Sequence, residues 1–207
     1  MGSFDSALSE VWIVCHGHAQ LAARFLSRFT PLEREDRLFV APEGLSRFYL
    51  APPNAVHRPD SPIGATWMTR EDREAEIEDQ IKYLDLLYRE IFGRVDRDAV
   101  RLWVLGFSQG VATAIRWLTR SNVAADRVVL WAGIIPPELN AGAARALTAR
   151  GPLTMVVGAS DEFATPEVVA AQEARLSELG VPYNRIGFDG GHDIAESALL
   201  ELVATDD

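Results

Sequence analysis

Short apolar runs alternate with longer amphipathic stretches along this sequence. Of six short runs, most are nearly continuous in Val, Ile, Leu or Trp, a pattern typical of strands buried on both faces of a parallel sheet. These predicted strands span residues 11–16, 37–41, 101–107, 127–132, 153–158 and 183–188. The stretches between them predict helices over residues 19–29, 69–92, 109–119, 138–149, 166–179 and 193–203. The alternation predicts an α/β fold, a doubly wound, mainly parallel sheet with helices on both faces.

The length of 207 residues suits one domain spanning 1–207. The net charge is −10 and the arginines are interleaved with acids, so we expect no nucleic-acid partner. The apolar runs are too short to cross a bilayer, and the first ten residues lack the pattern of a signal peptide. Cys15 is the single cysteine, which excludes an internal disulfide. We therefore expect a cytoplasmic protein without a transmembrane segment, and the oligomeric state stays open, a homodimer included.

A candidate nucleophile lies in the sequence Gly106-Phe107-Ser108-Gln109-Gly110. This G-x-S-x-G pattern directly follows a predicted buried strand and precedes a predicted helix. Strand, tight turn and helix form the context that a nucleophile elbow requires, with glycines where a side chain would collide. The helix N-terminus directs backbone N–H groups at negative charge that develops on a substrate. The pattern predicts Ser108 as a nucleophile and an α/β-hydrolase fold.

The base for Ser108 is predicted to be His192. A serine hydroxyl is a weak nucleophile until a histidine takes its proton. The chain order in α/β-hydrolases is Ser, then Asp or Glu, then His, and His192 is the only histidine after Ser108. His57, in a proline-rich stretch, is interpreted as a solvated loop residue.

The acid that orients His192 is predicted to be Asp161. It directly follows the predicted strand 153–158, and the carboxyl ends of strands carry the sites of open α/β sheets. Its neighbour Glu162 remains an alternative. Asp126 and Asp189 lie at less suitable places relative to their strands, and Asp193 is interpreted as the N-cap of the last helix.

Two backbone amides are predicted to stabilise an oxyanion. One belongs to Gln109, the residue after the nucleophile, and the other to His18 in the loop after the first strand. The H-x-H spacing of His16 and His18 would also suit a metal, but the sequence shows no third ligand in a recognisable pattern. We expect neither a metal nor another cofactor.

These motifs resemble those of the phospholipase/carboxylesterase family of small α/β-hydrolases, which includes acyl-protein thioesterases. The matching residues are His16-Gly17, Gly106–Gly110 in the family's own G-F-S-Q-G form, Asp161, and Gly191-His192. Their order and spacing hold from about Val11 to Val203. The resemblance implies hydrolysis of an ester or thioester, lysophospholipids included, without a cofactor.

The sequence departs from the family in two places. The first loop of the family usually reads H-G-x-G-D, whereas Ala19 replaces the second glycine here and Gln20 replaces the acid. The segment 46–67 is unlike that of the acyl-thioesterases, so their lipidated-protein substrate does not carry over.

The sequence thus predicts a serine hydrolase that cleaves a small-molecule carboxylic ester through an acyl-enzyme. An acyltransferase using the same three residues and a non-catalytic binding module on the same scaffold remain alternatives. The long Pro- and Gly-rich stretch 42–69 is of the kind that is often functional. The substrate pocket is predicted from residues in this stretch or after strand ends: Phe48, Tyr49, Trp67, Ile134, Ile135 and Phe163.

Overall fold

The computed structural model describes residues 1–4, 7–52, 54 and 56–205. Within them, eight strands follow one another along the chain. They are β1 (Glu10–Cys15), β2 (Arg37–Val40), β3 (Ser46–Tyr49), β4 (Ile63–Thr66), β5 (Arg101–Phe107), β6 (Arg127–Trp131), β7 (Leu153–Gly158) and β8 (Tyr183–Phe188). Six of them form one parallel sheet in the order β2-β1-β5-β6-β7-β8, and β3 pairs with β4 in a separate antiparallel hairpin.

Six α-helices connect these strands over the described residues. They are α1 (Ala22–Leu26), α2 (Arg73–Phe92), α3 (Gln109–Arg120), α4 (Ala141–Leu147), α5 (Pro166–Glu178) and α6 (Glu196–Ala204). Short 3₁₀ helices cover Ser27–Leu32 and Arg97–Ala99. No helix in this part of the chain combines the length and apolar character that crossing a bilayer requires.

Helices cover both faces of the sheet, which explains why its strands are apolar without alternation. Val11, Ile13 and Cys15 of β1 pack in the same cluster as the buried residues of α2, α3, α4 and α5. Trp12 and Val14 face the other way, into a cluster with α6 and the segment 25–32. The predicted doubly wound α/β architecture is confirmed.

The six predicted strands of the main sheet are confirmed to within one residue at each end, whereas several helices start later than predicted. The fourth helix begins at Ala141 because the side chain of Asn140 accepts hydrogen bonds from the amides of Gly142 and Ala143. The last begins at Glu196, so the prediction of Asp193 as its N-cap is wrong. The Asp193 carboxylate instead accepts from the Ile194 amide and pairs with Arg28.

The hairpin β3–β4 is the element that the sequence did not predict. Its strands are four residues long and join through a Pro-rich connection, so neither shows a long apolar run. Strand β4 contacts the loop after β1, where the Ala65 carbonyl accepts from the Ala19 amide and the Ala65 amide donates to the Gln20 carbonyl. The hairpin therefore lies against the loop that the sequence analysis assigned to the oxyanion.

The start of α2 also differs from the prediction. The helix begins at Arg73 rather than Thr69, and the preceding Asp72 has a left-handed backbone (φ 46°) without a capping hydrogen bond from its side chain. The Glu76 carboxylate instead accepts from the amide and the hydroxyl of Thr69, at 2.5 and 3.2 Å. Glu76 thus binds the segment before α2 from inside the helix.

An ion-pair network fixes α3 to the segment before α4. The buried Arg116 donates to Glu138 at 2.6 Å, and Arg73 approaches the same carboxylate at 3.3 Å. Burial alone would raise the pKa of Glu138, but the hydrogen bond and charge of Arg116, with Arg73, lower it to about 2. The pKa of Glu138 in the folded protein thus lies below its ordinary value of 4.5. The ion pair therefore stabilises the fold fully above pH 4.5, and this stabilisation is lost as the pH falls towards 2.

We expect Glu138→Gln to lower the free energy of unfolding by about 1–2 kcal/mol at pH 7, a range that discounts for the partial exposure of the carboxylate. Urea denaturation measures this, and the difference from the unaltered protein should shrink between pH 5 and pH 3. The matched control is Glu90→Gln, which removes the exposed pair with Arg94 and should cost at most about 0.5 kcal/mol. Equal losses in the two variants would contradict the role of the network.

Candidate active site

Ser108 occupies a strained turn between β5 and α3. Its backbone has φ 54° and ψ −117°, a combination that non-glycine residues rarely adopt. The flanking glycines leave room for the turn. A Cβ on Gly106 would lie 2.4 Å from the Gly110 carbonyl oxygen, and one on Gly110 would lie 2.1 Å from that of Cys15. Ser108 thus stands at the carboxyl end of a central strand and at the N-terminus of a helix.

His192 and Asp161 are hydrogen-bonded to each other. The distance from His192 Nδ1 to Asp161 Oδ2 is 2.8 Å, and an ionised carboxylate can only accept, so Nδ1 carries the proton. The other carboxylate oxygen accepts from the amides of Phe163 and Ala164, both at 2.8 Å. Nε2 of His192 is therefore left unprotonated when the ring is neutral.

The environment of Asp161 favours its charged form. The side chain is fully buried, and burial alone would raise its pKa. The hydrogen bonds from the Ala164 amide, His192 and the Phe163 amide outweigh burial and hold the pKa of Asp161 below its ordinary value. Glu162, the alternative acid, is exposed, and His192 donates its hydrogen bond to Asp161 instead.

The loop after β1, which contains His18, passes beside Ser108 at Gly17. A Cβ on Gly17 would lie 3.1 Å from Cβ of Ser108, so this loop passes directly beside it. Gln20 Oε1 accepts from the Gly17 amide at 2.8 Å and closes the loop. Ala19, at the position of the expected second glycine, has a left-handed φ of 64°. The loop keeps a glycine-like conformation without the glycine, and Gln20 supplies an acceptor where the family has an acid.

His16 is a structural residue in the core of this loop. It is fully buried, Nδ1 donates to the Gly17 carbonyl at 2.7 Å, and Nε2 accepts from the Gly44 amide at 2.9 Å. Burial lowers the pKa of His16, which keeps the ring neutral. Both ring nitrogens are thus occupied, and His18 instead stacks on Phe48 at 5.3 Å between ring centroids. Among the described residues, no three His, Cys, Asp or Glu side chains are arranged to hold a metal.

Ser108 and His192 line the same cavity, which has a volume of about 290 Å³. Two of the predicted pocket residues, Ile134 and Phe163, lie at its mouth and are largely exposed. The structure places the other predicted pocket residues elsewhere. Trp67 and Ile135 are buried in the core, Phe48 stacks on His18, and Tyr49 stacks on His57.

Sequence reasoning missed part of the cavity lining. The additional residues are mostly small and follow β6 and β7 or begin α3 and α5: Ala112, Ala132, Gly133, Ala164 and Val168. Only their positions in the sequence could have indicated these residues, because the carboxyl ends of neighbouring parallel strands meet at one edge of a sheet. A larger cavity of about 440 Å³ lies at the opposite edge, where Arg97 and Arg150 pair with Asp126, and it contains neither Ser108 nor His192.

Comparison with known proteins supports the architecture. No protein-family profile and no curated protein matches the sequence. Among solved structures, esterase PE8 superposes with a TM-score of 0.68 at 19% identity, covering 99% of this chain and 94% of its own. Acyl-protein thioesterase 2 from Zea mays gives 0.64 at 17% identity, covering 97% and 94%. A phospholipase/carboxylesterase from Dyadobacter fermentans gives 0.65 at 16% identity, covering 96% and 90%.

The chain has an α/β-hydrolase fold. The similar structures span nearly its whole length and include the family that the sequence motifs resemble. Within this fold the Gln109 side chain fixes the turn at Ser108 to the end of the hairpin and the residues that follow it. Gln109 Oε1 accepts from the Trp67 amide at 3.1 Å, and Nε2 donates to the Thr66 hydroxyl and the Met68 carbonyl at 2.8 and 3.0 Å.

We expect Gln109→Leu to lower the free energy of unfolding by about 1–3 kcal/mol, because it leaves these partly buried groups without their partner. Thermal or urea denaturation measures the change. The control is Gln80→Leu, since Gln80 is more buried than Gln109, its Oε1 has no partner within the described part of the chain, and its Nε2 makes one long bond of 3.3 Å to the Glu76 carbonyl. That variant should be neutral or stabilising. A larger loss for Gln80→Leu than for Gln109→Leu would refute this account.

Proposed function

We propose that this chain is a serine hydrolase that cleaves carboxylic esters through an acyl-enzyme. The observation that carries the proposal is that Ser108, on its strained turn, and His192, bonded to the buried Asp161, open into one apolar cavity. An esterase, a thioesterase and a phospholipase/carboxylesterase among the similar structures support the same class of reaction.

In the proposed reaction, His192 Nε2 takes the proton of the Ser108 hydroxyl as its oxygen attacks the ester carbonyl. The tetrahedral intermediate collapses when His192 returns that proton to the leaving alcohol, which leaves the acyl group on Ser108. Water then repeats the sequence with His192 as its base and releases the acid. Asp161 holds Nδ1–H throughout and stabilises the imidazolium that forms twice.

The oxyanion is proposed to be stabilised by the backbone amides of Gln109 and His18. Gln109 is the first residue of α3, so its N–H has no acceptor within the helix. The loop that contains His18 passes beside Ser108 through Gly17. Donors fixed in this way need no reorganisation when negative charge develops, which is the main source of their catalytic effect.

Replacing the nucleophile tests the proposal directly. Ser108→Ala should lower kcat/KM for p-nitrophenyl acetate by about 10⁴-fold or more and abolish labelling by a fluorophosphonate probe. The control Ser160→Ala changes an exposed serine beside Asp161 and should keep both. Circular dichroism should show both variants folded. Retention of most of the activity by Ser108→Ala would overturn the proposal.

Two neighbouring acids provide a second test. Asp161→Asn should lower kcat by about 10⁴-fold, because an amide presents a donor to Nδ1 and favours the wrong tautomer of His192. The matched variant Glu162→Gln changes an exposed carboxylate and should alter kcat less than about threefold. Steady-state kinetics on one ester decides between them. The reverse ranking would transfer the role to Glu162.

The pH profile follows from the roles of His192 and Asp161. As general base the imidazole must be neutral, and histidine is the side chain that ordinarily titrates between about pH 5 and 8. The pKa of Asp161 is lowered, so its carboxylate stays ionised throughout that range. We therefore expect kcat/KM on a neutral ester to rise from acid through one ionisation and to stay level into mild alkali. An optimum in acid would be incompatible with His192 as the base.

A further inference from the structure

We propose, on the basis of the function proposed above, that the cavity beside Ser108 binds the acyl group of the substrate and admits only short to medium, uncharged chains. Its lining supports the chemical class. Apart from Ser108, Gln109 and His192, the described residues around it are apolar: Ala112, Ala132, Gly133, Ile134, Phe163, Ala164 and Val168. A carboxylate or ammonium group would lose its hydration there without gaining an ion pair.

The size of the cavity sets the chain length. A volume of about 290 Å³ holds about ten groups of the size of a water molecule, each of about 30 Å³. This is enough to enclose a short or medium aliphatic chain, whereas a long-chain fatty acyl group would extend past the exposed Ile134 and Phe163 into water. The space exists because most of the lining side chains are small.

Two lining residues, Ala112 and Val168, can be replaced to change the size of the cavity, whereas Gly133 cannot. A Cβ at position 133 would lie 2.4 Å from both the Ser108 carbonyl oxygen and the Val111 side chain. Ala112, one turn into α3, and Val168, in the first turn of α5, are half-buried and face the space from opposite helices. Their side chains are therefore the ones whose size sets the limit.

The acyl group rather than the alcohol is assigned to this cavity because of the order of events. The alcohol must leave before water attacks, whereas the acyl group stays attached to Ser108 through both steps. An apolar recess suits the group that stays. The exposed His18 and its partner Phe48 lie outside the cavity lining, on the loop that passes Ser108 at Gly17 and on the hairpin, and we assign the departing alcohol to that side.

The test compares two ester series on the unaltered enzyme and on variants. One series holds p-nitrophenol constant and lengthens the acyl group from two to sixteen carbons, and the other holds acetate constant and lengthens the alcohol. We expect kcat/KM to peak at or below about ten carbons in the acyl series and to vary little in the alcohol series.

Ala112→Leu should lower kcat/KM for the octanoyl ester at least about tenfold and change that for the acetyl ester less than about threefold, since one misplaced methylene costs about 10- to 200-fold in an apolar pocket. Val168→Ala should shift the peak to longer acyl groups. This variant still tests the proposal if Ala112→Leu does not fold. The control Ala146→Leu places the same side chain on an exposed position of α4 and should leave the profile unchanged.

Selectivity that appears in the alcohol series would overturn the assignment, and so would acyl-series profiles that Ala112→Leu and Val168→Ala both leave unchanged. Failure of the underlying function would look different. In that case the unaltered enzyme would turn over no ester of either series and Ser108 would resist the fluorophosphonate probe.

Discussion

The close approach of α3 to β1 is the constraint on which the site depends. The backbone at Gly110 lies so near the Cys15 carbonyl that no side chain fits between them. This contact lets the chain leave β5, turn sharply at Ser108 and enter a helix that lies directly on the sheet. A side chain at position 110 would force α3 away from β1, because its Cβ would lie 2.1 Å from the Cys15 carbonyl oxygen. The strain at one residue is thus held in place by the packing of the sheet and α3 around it.

Much of the fold was predictable because burial on both faces leaves a strong signal. The central strands of the main sheet are apolar over most of their length, since helices cover both faces, whereas the edge strand β8 is largely exposed. The hairpin β3–β4 left no such signal. It is a small separate sheet, and in β3 half-buried residues alternate with exposed ones. Helix starts were also misplaced, since they depend on single side chains such as Asn140 and Glu76.

The candidate site was predictable in its positions and less so in its surroundings. Ser108, Asp161 and His192 each follow a strand of the main sheet, so topology alone places them at one edge. Asp161 and Glu162 are adjacent in sequence and point in different directions, which only the turn after β7 decides. Large aromatic side chains were predicted to line the substrate pocket, yet Trp67 is buried in the core and small residues such as Ala112 line the cavity. The cavity exists because most of its lining side chains are small, and small residues do not by themselves indicate a cavity in a sequence.

The hairpin is anchored at its base to the elements around Ser108. Ala65 bonds the loop after β1, the Thr66 hydroxyl bonds Gln109, and the Trp67 indole donates to the His16 carbonyl. Beyond Tyr49 the chain is more exposed and carries few bonds to the rest of the protein within its described residues. The contacts that reach the strained turn all lie at the base of the hairpin, so a change of length in the connection between β3 and β4 would alter the surface there without breaking any of these contacts.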